Sequence, residues 1–70
     1  MAVQNITFNV EGMTSDDAAQ KIKDSLSVLN GVLEVIVDLN SRRVAVEYDD
    51  ERLNYEIVKE TIEDANFNIR

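Results

Sequence analysis

Neither cysteine nor histidine occurs anywhere in these 70 residues, and that double absence narrows what the chain can become. A chain of this length buries only roughly 60% of its unfolded surface, and domains of this size often lean on disulfides or bound metal. Disulfides are excluded here, as are thiolate and imidazole ligands for a soft cation. Stability must come from apolar faces laid out with the right period, and a hydrophobic content of 44% is ordinary for a soluble globular chain. The length predicts a single domain over residues 1–70 and a folded monomer.

The periods are legible. From Val3 to Val10, Ile6, Phe8 and Val10 alternate with Asn5, Thr7 and Asn9, the pattern of a half-buried strand. Glu11-Gly12 breaks it, and Thr14-Ser15-Asp16-Asp17 then sets a hydroxyl three residues before a carboxylate, as at a helix start. Ala19, Ile22, Leu26 and Leu29 form the apolar stripe of that helix, which Asn30-Gly31 is expected to stop with a left-handed cap.

Val32 to Leu39 reads as a second strand, with Leu33, Val35, Val37 and Leu39 on one face and Glu34, Ile36 and Asp38 on the other. Asn40-Ser41-Arg42 is turn chemistry, and Val44, Val46 and Tyr48 alternate after it, so strands two and three should form a hairpin. The acidic run Asp49-Asp50-Glu51 reads as a solvated turn. Asn54 can cap a second helix carrying Ile57, Val58, Ile62 and Ala65, and Asn66 should end it in the left-handed region, leaving Phe67 and Ile69 for a short fourth strand. Strand, helix, strand, strand, helix, strand is the order of an α+β, ferredoxin-like βαββαβ sandwich, with a four-stranded antiparallel sheet and both helices on one face. Its other face should be wet, lined by Thr7, Asn9, Glu34, Ile36, Arg43, Ala45 and Glu47.

Fourteen acidic residues against seven basic ones leave a net charge of −7, which repels phosphate backbones and anionic lipid. RNA-recognition modules share this strand order but stack bases on sheet aromatics, and here Phe8 and Tyr48 carry the phase of the core. Nucleic acid is therefore not an expected partner. No long apolar run suggests direct membrane insertion, and the expected location is cytoplasmic. Catalysis would fall to carboxylates, lysines, tyrosines or a serine, and no nucleophile elbow, phosphate loop or paired-acid cleft is present, so an enzyme is not expected.

The segment Val10-Glu11-Gly12-Met13-Thr14-Ser15-Asp16-Asp17-Ala18-Ala19 resembles the heavy-metal-associated domain of copper chaperones and of the amino termini of copper-transporting ATPases. That family's signature is Gly-Met-Thr-Cys-x-x-Cys. Gly12, Met13, Thr14 and Ala19 fit it, with Ser15 and Ala18 in the two cysteine positions. The resemblance runs on through Gly31-Val32, the Val35/Val37/Leu39 strand, Val44/Val46, Tyr48-Asp49 and Asn66-Phe67, where the family commonly has Gly followed by an aromatic.

The resemblance implies a Cu(I) carrier working through two thiolates that converge at the start of a helix. Ser15 offers a neutral hydroxyl and Ala18 no donor, so no metal and no cofactor is expected on the chain as written, Cu(I) being implied for the cysteine-containing parent family. Gly12, Met13, Thr14, Ser15, Ala18 and Phe67 are then a vestigial metal loop, with the Met13 thioether read as packing beneath it rather than as a ligand. Asp16 and Asp17 invite a hard-metal reading, but two carboxylates fall short of a calcium or magnesium set, and acidic residues suit a first helical turn.

By the same analogy the loop end would dock a metal-binding domain of a copper-transporting ATPase or a copper chaperone. Asp16, Asp17 and Asp64 are candidates for complementarity to that partner; ordinary solubility is the plainer account of them. Three origins suit the residues: replacement of the cysteines in a copper-carrying parent, a naturally degenerate domain that keeps interaction without metal, or a design on this fold. The intact Gly12-Met13-Thr14 flank favours recent or deliberate loss.

Overall fold

The structure, a computed structural model, describes residues 2–70. In chain order it consists of β1 (Val3–Glu11), α1 (Asp16–Ser27), β2 (Val32–Asp38), β3 (Arg43–Asp49), α2 (Tyr55–Asp64) and β4 (Asn68–Ile69). The strands form one antiparallel sheet in the order β2-β3-β1-β4. This is the ferredoxin-like arrangement that the periodicity predicts.

Alternation places Phe8, Val10, Val35, Val44, Val46 and Tyr48 under the helices, where they meet Ile22 and Leu26 of α1 and Val58 and Ile62 of α2. The Phe8 and Tyr55 rings stack with centroids 5.5 Å apart. Burial of Phe8 and Tyr48 on the helix side leaves the opposite sheet face with no aromatic row, and Thr7, Asn9, Glu34, Ile36 and Arg43 are exposed there. Asn54 caps α2 as its sequence position suggests, its Oδ1 accepting the Ile57 N–H at 2.9 Å.

Four local expectations give way to packing. Leu33 does not join the core: a bulge between Val32 and Glu34 shifts the register, Val32 takes the inward position opposite Tyr48, and Leu33 stays 51% exposed. The first helix ends at Ser27, short of Asn30-Gly31. Bonds from Leu29 N–H to Leu26 O and from Val32 N–H to Leu29 O tighten the chain there and bring Leu29 against the core. Ile57 is exposed at 39%, because Val58 and Ile62 already fill the inward stripe of α2.

Asp49 is the fourth case. It is 5% exposed rather than solvated, and its Oδ1 accepts the Glu51 N–H at 2.9 Å while Oδ2 lies 3.8 Å from Arg52 Nε. Its own N–H donates to Gly31 O at 2.8 Å, tying the entry of β2 to the exit of β3. Gly31 has φ +115°, and a Cβ there would lie 2.8 Å from Arg52 Cβ, so both backbone and space require glycine.

The β2–β3 turn is organised by Asp38. Its Oδ1 accepts the N–H groups of Asn40 at 3.0 Å and Ser41 at 3.4 Å. The Ser41 hydroxyl first and then the Ser41 amide, aided to a lesser degree by the Asn40 amide and nearby Arg43, hold its carboxyl below the usual 3.8 against an opposing effect of desolvation. A depressed carboxyl pKa contributes stability that is present above the unfolded value and is lost as pH falls through the folded one. Acidification below 3.8 should therefore loosen this turn, and the amide resonances of Asn40 and Ser41 should follow a midpoint below that value. A midpoint at or above it would contradict the turn geometry.

Candidate functional site

The signature segment lies where β1 hands over to α1. Gly12 turns the chain at φ +86°, a left-handed conformation that side chains resist, and a Cβ built there would sit 3.8 Å from Phe67 Cδ1. Phe67 itself follows Asn66 at φ +71° and is buried. The β1–α1 and α2–β4 connections thus meet at one end of the molecule, bringing Gly12 and Phe67 together from opposite ends of the sequence.

Met13 is 0% exposed and belongs to the core, its thioether withdrawn from the surface. Thr14 is exposed. Ser15 is the N-cap of α1, with extended backbone at φ −142° and ψ 163°, and its Oγ accepts the Ala18 N–H at 3.2 Å. The cap is therefore Ser15 and not the Thr14 hydroxyl of the Thr14/Asp17 spacing, because only the residue at the extended-to-helical junction can turn its oxygen onto the freed amides. Ser15 O also accepts the Ala19 N–H at 3.1 Å. Ala18 is half-buried against the core. Ser15→Ala should cost about 1 kcal/mol of stability by stranding that amide; an unchanged denaturation midpoint would mean that water replaces the cap without loss.

Asp16 and Asp17 occupy the exposed first turn of α1, where carboxylates suit the positive helix end. Asp64 is the last residue of α2, exposed, at a helix end with no basic residue in its last turn. The antiparallel course of the two helices puts all three aspartates at the end that carries Gly12 and Phe67.

The donor set at this end does not fit a soft cation. Ser15 Oγ is a neutral oxygen engaged with an amide, Ala18 presents a methyl group, and Met13 is sealed in the core. Among the described residues, no group of three or more His, Cys, Asp or Glu could hold a metal ion.

The heavy-metal-associated domain family matches residues 7–68. The chain belongs to it. The copper chaperone CopZ of Staphylococcus haemolyticus is 39% identical over 94% of this chain and 97% of its own length. Among solved structures, a CopZ metallochaperone superposes with a TM-score of 0.92 at 28% identity, covering 96% of this chain and all of that one. A copper-binding domain from a P-type ATPase gives 0.90 at 33% identity over 94% and 89% of the two chains. This heavy-metal-associated domain thus carries the family fold, with Ser15 and Ala18 standing where the family motif has cysteines.

One feature of the loop end lay outside the reach of periodicity and motif. Beside Gly12 opens a cleft of about 660 Å³ whose walls include Asn9, Glu11, Asn40, Arg42 and Arg70. Its parts come from β1, the β2–β3 turn and the chain end, and only strand pairing assembles them. The one local signal was Arg42, an arginine in a turn position that takes φ +56°.

Proposed function

We propose that this heavy-metal-associated domain is a copper-chaperone-type protein that carries no Cu(I) itself but keeps the docking end through which such domains meet. Its partner is the metal-binding domain of a copper-transporting ATPase or another copper chaperone, engaged in the cytoplasm, and it performs no catalysis. The observation that carries this reading is the loop itself: Gly12 at φ +86°, Met13 fully buried and Phe67 packed close to Gly12, all formed around Ser15 and Ala18. A serine cap supports the helix start that would otherwise carry a thiol, so the surface survives without its cargo.

Asp64 supports the docking part. A carboxylate at a helix C-terminus opposes the macrodipole, a placement unfavourable by roughly 0.3–1 kcal/mol, and it stands at the same end as Asp16 and Asp17. Such a charge suits a basic partner surface, where complementarity governs encounter and register.

The test is a titration of isotope-labelled chain with the N-terminal domain of a copper-transporting ATPase at low ionic strength. Amides from Thr14 to Ala18, with Asp64 and Phe67, should shift in a weak, salt-sensitive complex, and an Asp16→Asn, Asp17→Asn, Asp64→Asn variant should bind several-fold more weakly. Absence of any shift at that end removes the docking reading. Tight Cu(I) uptake by the unaltered chain removes the cargo-free reading independently.

A further inference from the structure

We propose that the cleft beside Gly12 is a binding site for a small polyanion, a molecule bearing two or more carboxylate or phosphoryl groups. Its volume, about 660 Å³, lies within the range of small-molecule sites. Its walls carry amide, hydroxyl and guanidinium groups, with the Glu11 carboxylate and Val10 beside them and no aromatic ring, which suits a hydrophilic ligand.

Two guanidinium groups define the charge. Arg42 sits at φ +56°, a region in which a side chain meets steric cost that glycine escapes. The fold asks nothing of its guanidinium: the Arg42 contribution to the sheet is a carbonyl that accepts the Val10 N–H at 2.9 Å, which any residue would supply. No ion pair engages Arg42 among the described residues. The turn that presents it is held rigid by Asp38, whose carboxylate is taken up by the Asn40 and Ser41 amides. An arginine at a costly position on this turn, with no ion-pair partner among the described residues, is placed for an external one.

Arg70 also lines the cleft, its backbone fixed by its N–H donating to Asn9 O at 2.8 Å. Its Nε lies 3.4 Å from Glu11 Oε1, with the two side chains 70% and 56% exposed. A pair this wet contributes little and exchanges readily. An incoming oxyanion can take the Arg70 fork from Glu11, and planar guanidinium groups match carboxylate and phosphoryl oxygens bidentately. Two cationic forks thus stand beside the Glu11 carboxylate in one cleft of a chain whose net charge is −7.

Isotope-labelled chain titrated separately with citrate and with pyrophosphate, with acetate at matched ionic strength as the monoanion control, decides the matter. Saturable shifts are expected at Asn9, Gly12, Asn40 and Arg42, and the better of the two probes tells carboxylate from phosphoryl preference. Arg42→Gly should bind about tenfold more weakly while its melting temperature holds or rises, since glycine accepts the left-handed backbone. Glu11→Gln, which frees Arg70, should bind more tightly than the unaltered chain. Equal shifts with acetate, shifts that do not saturate with either polyanion, or undiminished binding by Arg42→Gly would each overturn the proposal.

Discussion

A Ser15→Cys, Ala18→Cys variant is expected to take Cu(I) from a chromophoric chelator that the unaltered chain leaves loaded. The two positions bracket the first turn of α1, where the positive helix end lowers thiol pKa values and the soft ion prefers sulfur. Two effects of opposite sign should appear in thermal melts. Without copper the variant loses the Ser15 oxygen that accepts the Ala18 amide, at about 1 kcal/mol, which lowers the melting temperature by roughly 4–8 °C. With free Cu(I) at about a thousandfold over its dissociation constant, mass action adds about 4 kcal/mol, a rise of roughly 15–30 °C. A variant that still fails to compete would strip the family assignment of its chemistry at this loop. Competition by the unaltered chain would show that oxygen and thioether donors suffice.

Met13→Ala should be nearly as damaging as a substitution at the centre of a helix stripe. Met13 is fully buried, in the same cluster as Ile22, Leu26 and Ile62, so truncation removes apolar burial and leaves a cavity, at about 2–5 kcal/mol. A domain of this length has a total stability of about 4–10 kcal/mol, and the loss is a large share of it. Met13→Leu conserves volume and should cost less than about 1.5 kcal/mol. Circular-dichroism melts of the two variants separate a packing role from a ligand role. An alanine variant with an unshifted melt would mean that the thioether is dispensable to the fold.

Strand and helix phases were legible because each element has one wet and one dry face, so that Phe8, Val10, Val44, Val46, Ile22 and Ile62 announce their direction by spacing alone. Leu33 was misplaced for the same reason: strict alternation assumes an unbroken register, and a bulge is a property of the pair of strands, invisible in either one. Asp49 looked like part of an acidic surface run because its neighbours are polar, whereas its burial depends on backbone and side-chain partners in Gly31, Glu51 and Arg52. The Gly12 to Ala18 loop could be located from its motif, but the role of Ser15 as cap depended on backbone dihedrals. The cleft lined by Arg42 and Arg70 had only the turn arginine Arg42 as a local signature, since the register of β1 with β3 and β4 creates it.

The bulge at Leu33 has a consequence for how copies of this chain behave in a crowded solution. β2 is a border of the sheet, and a straight border strand offers a row of unpaired N–H and C=O groups that another chain can extend into a growing ribbon. Leu33 interrupts that row with an extra residue, and the bend and added twist of a bulge spoil the flat template on which stacking depends. The leucine that stays out of the core thereby spoils the entry of one border strand as a template for further pairing.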